Sequence, residues 1–170
     1  HKTGRPVAFV PLTNGVHAGH IALVRAAKHI RGAVTVVALQ SPHEEDLELL
    51  RAEGVDIVWD YSPETLWPHG RRIAVAPADA ATALEPELSE DLSLYLALIL
   101  TLSPTDVLLG EKDYELLLAI HHAVQDFHLG VRVQGVPAVR MPDGVVMSLR
   151  NTNVPADSRD QAAALSAALT

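Results

Sequence analysis

Short apolar runs without any polar alternation recur along this chain and take turns with segments whose apolar residues fall at helical spacing. Val7 to Val10 is the first such run and stops at Pro11. Ile21, Val24, Ala27 and Ile30 then mark one face of a helix with Arg25 and Lys28 between them. A strand that is apolar at every position cannot turn one face to water. Such strands belong to parallel sheets covered by helices on both sides. The pattern therefore predicts a doubly wound α/β domain. Its strands are expected at Val7–Val10, Ala33–Leu39, Val55–Trp59, Arg72–Val75, Asp106–Leu109, Val131–Val136 and Val145–Met147. Helices are expected at Ile21–Ile30, Glu44–Glu53 with Gly54 as its cap, Leu92–Leu102, Tyr114–Phe127 and Ser158–Leu169.

Composition narrows the function. At 170 residues and 48% hydrophobic, the chain has the content for one folded core. Thirteen Lys and Arg against 21 Asp and Glu leave a net charge of −8, which repels a phosphate backbone, so no nucleic-acid partner is expected. The absence of cysteine removes thiolate nucleophiles, Cys-zinc sites and disulfides together, and makes the cytoplasm the expected compartment. Leu92–Leu102 carries almost no polar face. A bilayer needs about 20 apolar residues, so this helix reads as buried or as a homodimer contact, and no membrane association is expected. His121 and His122 are adjacent on a helix and do not share a face, which is poor spacing for a metal. Trp59, Tyr61 and Trp67 read as core or interface filling.

In an open α/β sheet ligands gather at the carboxyl ends of the strands, so the loops after Val10, Leu39, Leu109 and Met147 matter most. Pro11-Leu12-Thr13-Asn14-Gly15-Val16-His17-Ala18-Gly19-His20 joins a strand to a helix N-terminus, where backbone N–H groups and the helix dipole favour an anion. A lone loop histidine usually caps or packs. His17 and His20 flanking Gly19 instead put two imidazole donors where charge develops on transferring oxygens. Gly110-Glu111-Lys112-Asp113-Tyr114 is the second such loop. Lys112 offers a mobile cation for phosphate and Asp113 a partner for ribose hydroxyls or Mg²⁺, although the same residues also suit a solvated helix start. Met147-Ser148-Leu149-Arg150-Asn151 places a hydroxyl and a guanidinium where they could clasp a polyphosphate.

Together these segments resemble the pantothenate synthetase (pantoate–β-alanine ligase) family. Its VPTMGxLHxGHLxLV stretch corresponds to Val10 through Val24, its GEKDYQQL to Gly110 through Leu117, and its VGVPTVRExDGLAxSSRN to the stretch ending at Asn151. The resemblance implies a nucleotidylyltransferase-type Rossmann domain over residues 1–155, with 156–170 beginning a helix toward a C-terminal lid. It implies an enzyme that uses ATP and Mg²⁺ to convert a carboxylic acid, nominally pantoate, into an acyl adenylate, which an amine, nominally β-alanine, then intercepts. By motif position, His17, His20 and Lys112 are the expected catalytic residues. Gly110 and Asp113 are expected to hold ribose, Val139 and Met147 to flank adenine, and Ser148 and Arg150 to grip the phosphates, with Pro11 and Gly19 completing the ATP site.

The departures from the family weigh most on the acid side, although Thr13, Asn14, Ala18 and Leu149 also replace residues of the nucleotide motifs. The FVNPxQF loop is missing, since Gln40 runs directly into Ser41-Pro42. Leu116 stands where the second Gln of GEKDYQQ would hold the acid. Glu85 to Asp91 replaces the RPTHFxGV segment with acidic residues. Gln40 and Leu116 thus mark a divergent acid pocket. Two other classes remain open on this scaffold: a nucleotide-binding homologue or partner subunit without turnover, and a nucleotidylyltransferase acting on another acceptor.

Overall fold

The computed structural model describes residues 4–78, 86–148, 151, 164 and 168. Five parallel strands form its sheet: β1 (Val7–Pro11), β2 (Val34–Gln40), β3 (Ile57–Tyr61), β4 (Asp106–Gly110) and β5 (Arg132–Val136), in spatial order β3-β2-β1-β4-β5. The helices are α1 (Ala18–Lys28), α2 (Glu44–Ala52), the single turn α3 (Pro63–Leu66), α4 (Pro86–Leu102) and α5 (Tyr114–Asp126). The chain winds outward from β1 through β2 to β3, returns to the other side of β1, and winds outward again. The order reverses between β1 and β4, and that is where a cleft opens at the carboxyl ends.

The pleat explains why the strand runs had to be apolar throughout. Phe9, Val36, Ala38, Val107 and Leu109 point to one face and pack with Leu92, Leu96 and Ile99 of α4 and Ile120 and Ala123 of α5. Their neighbours Ala8, Val10, Val37, Leu39 and Leu108 point to the other, against Leu23, Val24 and Ala27 of α1 and Leu50 of α2. Each sheet face is thus closed by helices, as doubly wound architecture requires. At the amino ends, the fully buried Asp106 accepts from Arg132 Nε at 2.8 Å and Nη2 at 3.0 Å and from Gln134 Nε2 at 2.9 Å, tying β5 to β4.

Two expected strands are absent. Arg72 to Ala74 are exposed, so the segment has no face to bury, and the Val75 N–H goes to Ser93 Oγ of α4 at 2.8 Å instead of a strand partner. Val145–Met147 forms one arm of a tight hairpin, bridged antiparallel between Arg140 and Val146, with Met147 N–H donating to Val139 O at 2.8 Å. Residues 137–144 are too few for the crossover that a sixth parallel strand would need, which takes a dozen or so. The expected helix Ser158–Leu169 and the whole of 156–170 lie outside the described residues, except for Ala164 and Ala168. Among the described residues, no helix is long and apolar enough to cross a membrane.

Candidate functional site

The turn between β1 and α1 is built to present its two histidines. Beyond Pro11, Leu12 N–H donates to Ala38 O at 2.8 Å, and the Leu12 carbonyl accepts from the buried Tyr61 hydroxyl at 3.0 Å. Gly15 then turns the backbone with φ +57°, a left-handed conformation that glycine adopts without strain. His17 follows in an extended conformation and caps α1, its Nδ1 accepting from Gly19 N–H at 3.0 Å. This cap folds the ring tightly over Gly19. A Cβ there would lie 2.7 Å from His17 Cε1, so a larger residue at this position would push the ring off its cap. His20 Nδ1 lies 3.1 Å from Gly15 O; a carbonyl only accepts, so Nδ1 carries the hydrogen.

The two rings stack with centroids 3.7 Å apart and planes 24° from parallel. Burial, followed by the neighbouring His17, lowers His20 to a pKa of about 4. Burial and then the Lys112 ammonium lower His17 below its ordinary value as well. Both imidazoles are therefore neutral at pH 7. Their hydrogen bonds leave them in opposite tautomers: His17 keeps its hydrogen on Nε2, while His20 carries its hydrogen on Nδ1 and so, against expectation, offers an acceptor rather than a second donor at Nε2.

On the other side of the switch point, β4 ends in a 3₁₀ turn, Glu111–Asp113, before α5 begins. Lys112 Nζ lies 2.9 Å from Asp113 Oδ1 in an ion pair that stays partly exposed. The 137–147 hairpin after β5 forms the third wall. One cavity is lined by residues of all three segments: His17, Gly19 and His20 from the first; Gly110, Lys112 and Asp113 from the second; Val139, Val146 and Met147 from the third. Leu12, Leu23, Tyr95 and Val136 to Ala138 complete it. Two imidazoles and an ammonium thus share the cavity with Val and Met residues.

Other predicted site residues lie elsewhere. Pro11 is buried at the end of β1 and leaves the lining to Leu12. Ser148 is half-buried beside Met147, and Arg150 lies outside the described residues. Gln40 opens on a separate groove of about 570 Å³ with Glu64, Trp67, Arg71, Asp91 and Leu94. Leu116 packs against the core under α5 and lines neither this groove nor the cavity. Neither the groove nor the cavity is thus lined by both Gln40 and Leu116. Trp59 and Tyr61 pack with Phe9 in the core, as their clustering suggested, while Trp67 sits in the groove under the Arg71 guanidinium, 5.8 Å from its ring centroid.

Sequence reasoning missed Tyr95, whose phenol is pushed above its ordinary pKa by burial and then by Asp91. It is the lone hydroxyl-bearing ring in an apolar helix, and that was the available signal. Among the described residues, no three His, Asp or Glu side chains come together as a metal-ligand set.

Comparison with known proteins accords with this geometry. The family model for pantoate-beta-alanine ligase matches residues 40–170. The pantothenate synthetase of Mycolicibacterium vanbaalenii is 41% identical over 188 residues, an alignment covering 98% of this chain and 60% of that protein. That of Mycobacterium avium is 38% identical, covering 99% and 61%. Among solved structures, the pantothenate synthetase of Thermus thermophilus superposes with a TM-score of 0.85 at 30% identity, covering 99% of this chain and 70% of its own. The pantoate-beta-alanine ligase of Francisella tularensis, complexed with beta-gamma ATP and beta-alanine, gives 0.83 at 26% identity, covering 94% and 69%. The chain spans about 60% of the length of the curated relatives it matches.

Proposed function

The chain belongs to the pantoate-beta-alanine ligase family, and from that premise we propose that it binds ATP in the three-walled cavity and joins a carboxylic acid, nominally pantoate, to an amine, nominally β-alanine. In the first step an acid oxygen attacks the α-phosphorus and the bond to pyrophosphate breaks. In the second the amine nitrogen attacks the acyl carbon, AMP leaves with the bonding electron pair, and the amine gives up a proton. The observation that carries this reading is the meeting of His17 and His20 with Lys112 in one cavity.

The residues have separable tasks. The Nε2–H of His17 and the Lys112 ammonium donate toward phosphate oxygens, where their hydrogen bonds strengthen as charge builds. Asp113 and the Gly110 backbone take the ribose. Val139 and Met147 offer apolar contact and backbone groups to adenine, and Ser148 with Arg150 extends the phosphate grip. None of these steps needs a protein nucleophile, which suits a chain without cysteine. An ATP-borne Mg²⁺ would be held by phosphate oxygens without a direct protein ligand, and among the described residues no three His, Asp or Glu side chains meet to hold one. When bound, the metal supplies charge neutralisation on the leaving pyrophosphate.

The acid is less well specified than the nucleotide. The groove at Gln40 carries Glu64, Glu90 and Asp91 against Arg71 alone, an unfavourable field for a carboxylate. That observation favours, as a second reading, a homologue that binds nucleotide and turns over a different acid or none. Homodimerisation and a cytoplasmic setting belong to the first reading; Leu100 of α4, 57% exposed, and the absence of cysteine support them. Pyrophosphate release tests the choice directly. Release on adding pantoate to enzyme and MgATP supports the ligase, release only with other carboxylic acids supports altered specificity, and MgATP binding without release supports the non-catalytic homologue. Absence of MgATP binding would overturn all three.

A further inference from the structure

We propose that Asp46 of α2 is the positioning residue for the histidine pair: its carboxylate holds the second half of the β1–α1 turn in the one backbone path that aims the Gly15 carbonyl at His20 and sets His17 as the cap of α1. The turn has two halves and separate anchors. Its first half is gripped by the Tyr61 hydroxyl on Leu12 O and by Gln40 N–H, which donates to Thr13 O at 3.1 Å. Its second half, next to the histidines, takes one hydrogen bond from outside the turn among the described residues: Val16 N–H donates to Asp46 Oδ1 at 2.7 Å.

That bond matters because of its neighbours on either side. Gly15, one residue before Val16, provides the carbonyl that fixes the His20 tautomer, and it does so from a left-handed conformation with little intrinsic stiffness. His17, one residue after, is the cap. Asp46 is itself immobilised: it is 7% exposed, and its other oxygen accepts from His43 N–H at 3.1 Å at the start of α2. Ser41, Pro42 and His43 alone join β2 to α2, so the start of the helix is set close against the turn.

Asp46 acts through geometry. The charged and titratable groups that bear on His20 are His17, Lys112 and Asp113, and Asp46 is not among them. A neutral side chain that keeps an acceptor at Oδ1 should therefore keep most of the effect.

The test combines nitrogen NMR of the imidazoles with calorimetry using MgATP; the NMR arm is independent of the proposed function and the MgATP arm rests on it. In the unaltered chain, the Val16 amide should exchange slowly and neutral His20 should show the Nδ1–H tautomer. Asp46→Ala should turn His20 toward the Nε2–H tautomer that a free histidine side chain prefers and, by letting the turn carry the His17 Nε2–H away from the phosphate position, weaken MgATP binding about 10-fold or more. Asp46→Asn should keep the Nδ1–H tautomer and lose no more than about 3-fold. A Val16 amide exchanging at the solvent rate in the unaltered chain overturns the proposal even if Asp46→Ala does not fold. So does a cooperatively melting Asp46→Ala that keeps both tautomer and affinity. A tautomer change in a chain that binds no MgATP at all would leave the positioning role standing and refute the nucleotide reading.

Discussion

Acidifying the protein from pH 7 to pH 5 should destabilise it through His20 before most of its carboxylates protonate. His20 has a folded pKa of about 4 against an ordinary 6.5, so between those values the unfolded chain binds a proton that the folded chain refuses. Stability is therefore fully present above the ordinary value and is lost as pH falls toward the folded one. For these two pKa values, the linkage relation gives a loss of about 2 kcal/mol between pH 7 and pH 5, and about 3 kcal/mol by pH 4. The lowered pKa of His17 acts in the same direction. Asp106 does not confuse this window, because Arg132 and its other partners hold its pKa below the usual carboxylate value and its contribution persists through pH 5. The control is His20→Asn, whose amide can still donate to Gly15 O from the place of Nδ1 but cannot titrate. Urea unfolding at pH 7, 6 and 5 should show the unaltered chain losing about 2 kcal/mol more than His20→Asn. Parallel curves, within about 0.5 kcal/mol across that range, would refute the claim that a buried, stacked, neutral imidazole sits in this turn.

Three further perturbations separate fold from site. Gly19→Ala would put a methyl 2.7 Å from His17 Cε1 and push the ring off its cap; the helix propensity gained, about 1 kcal/mol, offsets the lost cap, so urea stability should barely change while MgATP affinity falls about 10-fold by calorimetry. Lys112→Ala removes a charge-assisted donor worth about 2 kcal/mol, and calorimetry should show MgATP affinity falling about 30-fold with little change in melting temperature. Tyr61→Phe leaves the Leu12 carbonyl without its buried donor, which should cost about 1 to 2 kcal/mol in urea unfolding.

The parts of the fold legible in the sequence are those where one residue meets a uniform environment. Val7 to Val10 face the α4–α5 layer and the α1–α2 layer by turns, so every position must be apolar and the run declares a doubly covered strand. Val145–Met147 is equally apolar but belongs to a hairpin. Its pairing is decided by the few residues available for a return path, a property of the neighbouring segments and not of the run itself. Arg72–Val75 fails as a strand for a related reason, since the atom that satisfies Val75 N–H is a serine hydroxyl on a helix 18 residues away.

The site divides along the same line. His17, Gly19 and His20 are compact in sequence because the cap, the close approach over Gly19 and the Gly15 hydrogen bond are all local, and Lys112 with Asp113 is a nearest-neighbour pair. The acid-binding side depends instead on which loops meet across the sheet. The three-residue connection after Gln40 leaves that side chain on a groove with Trp67 and Arg71, while Leu116 packs against the core. The same short connection sets Asp46 against the histidine turn, a contact across 30 residues that reads in the sequence only as one more acid in the first turn of a helix. The short connection therefore acts on both sides of the site, leaving Gln40 on an acidic groove and bracing the turn that would hold a phosphate.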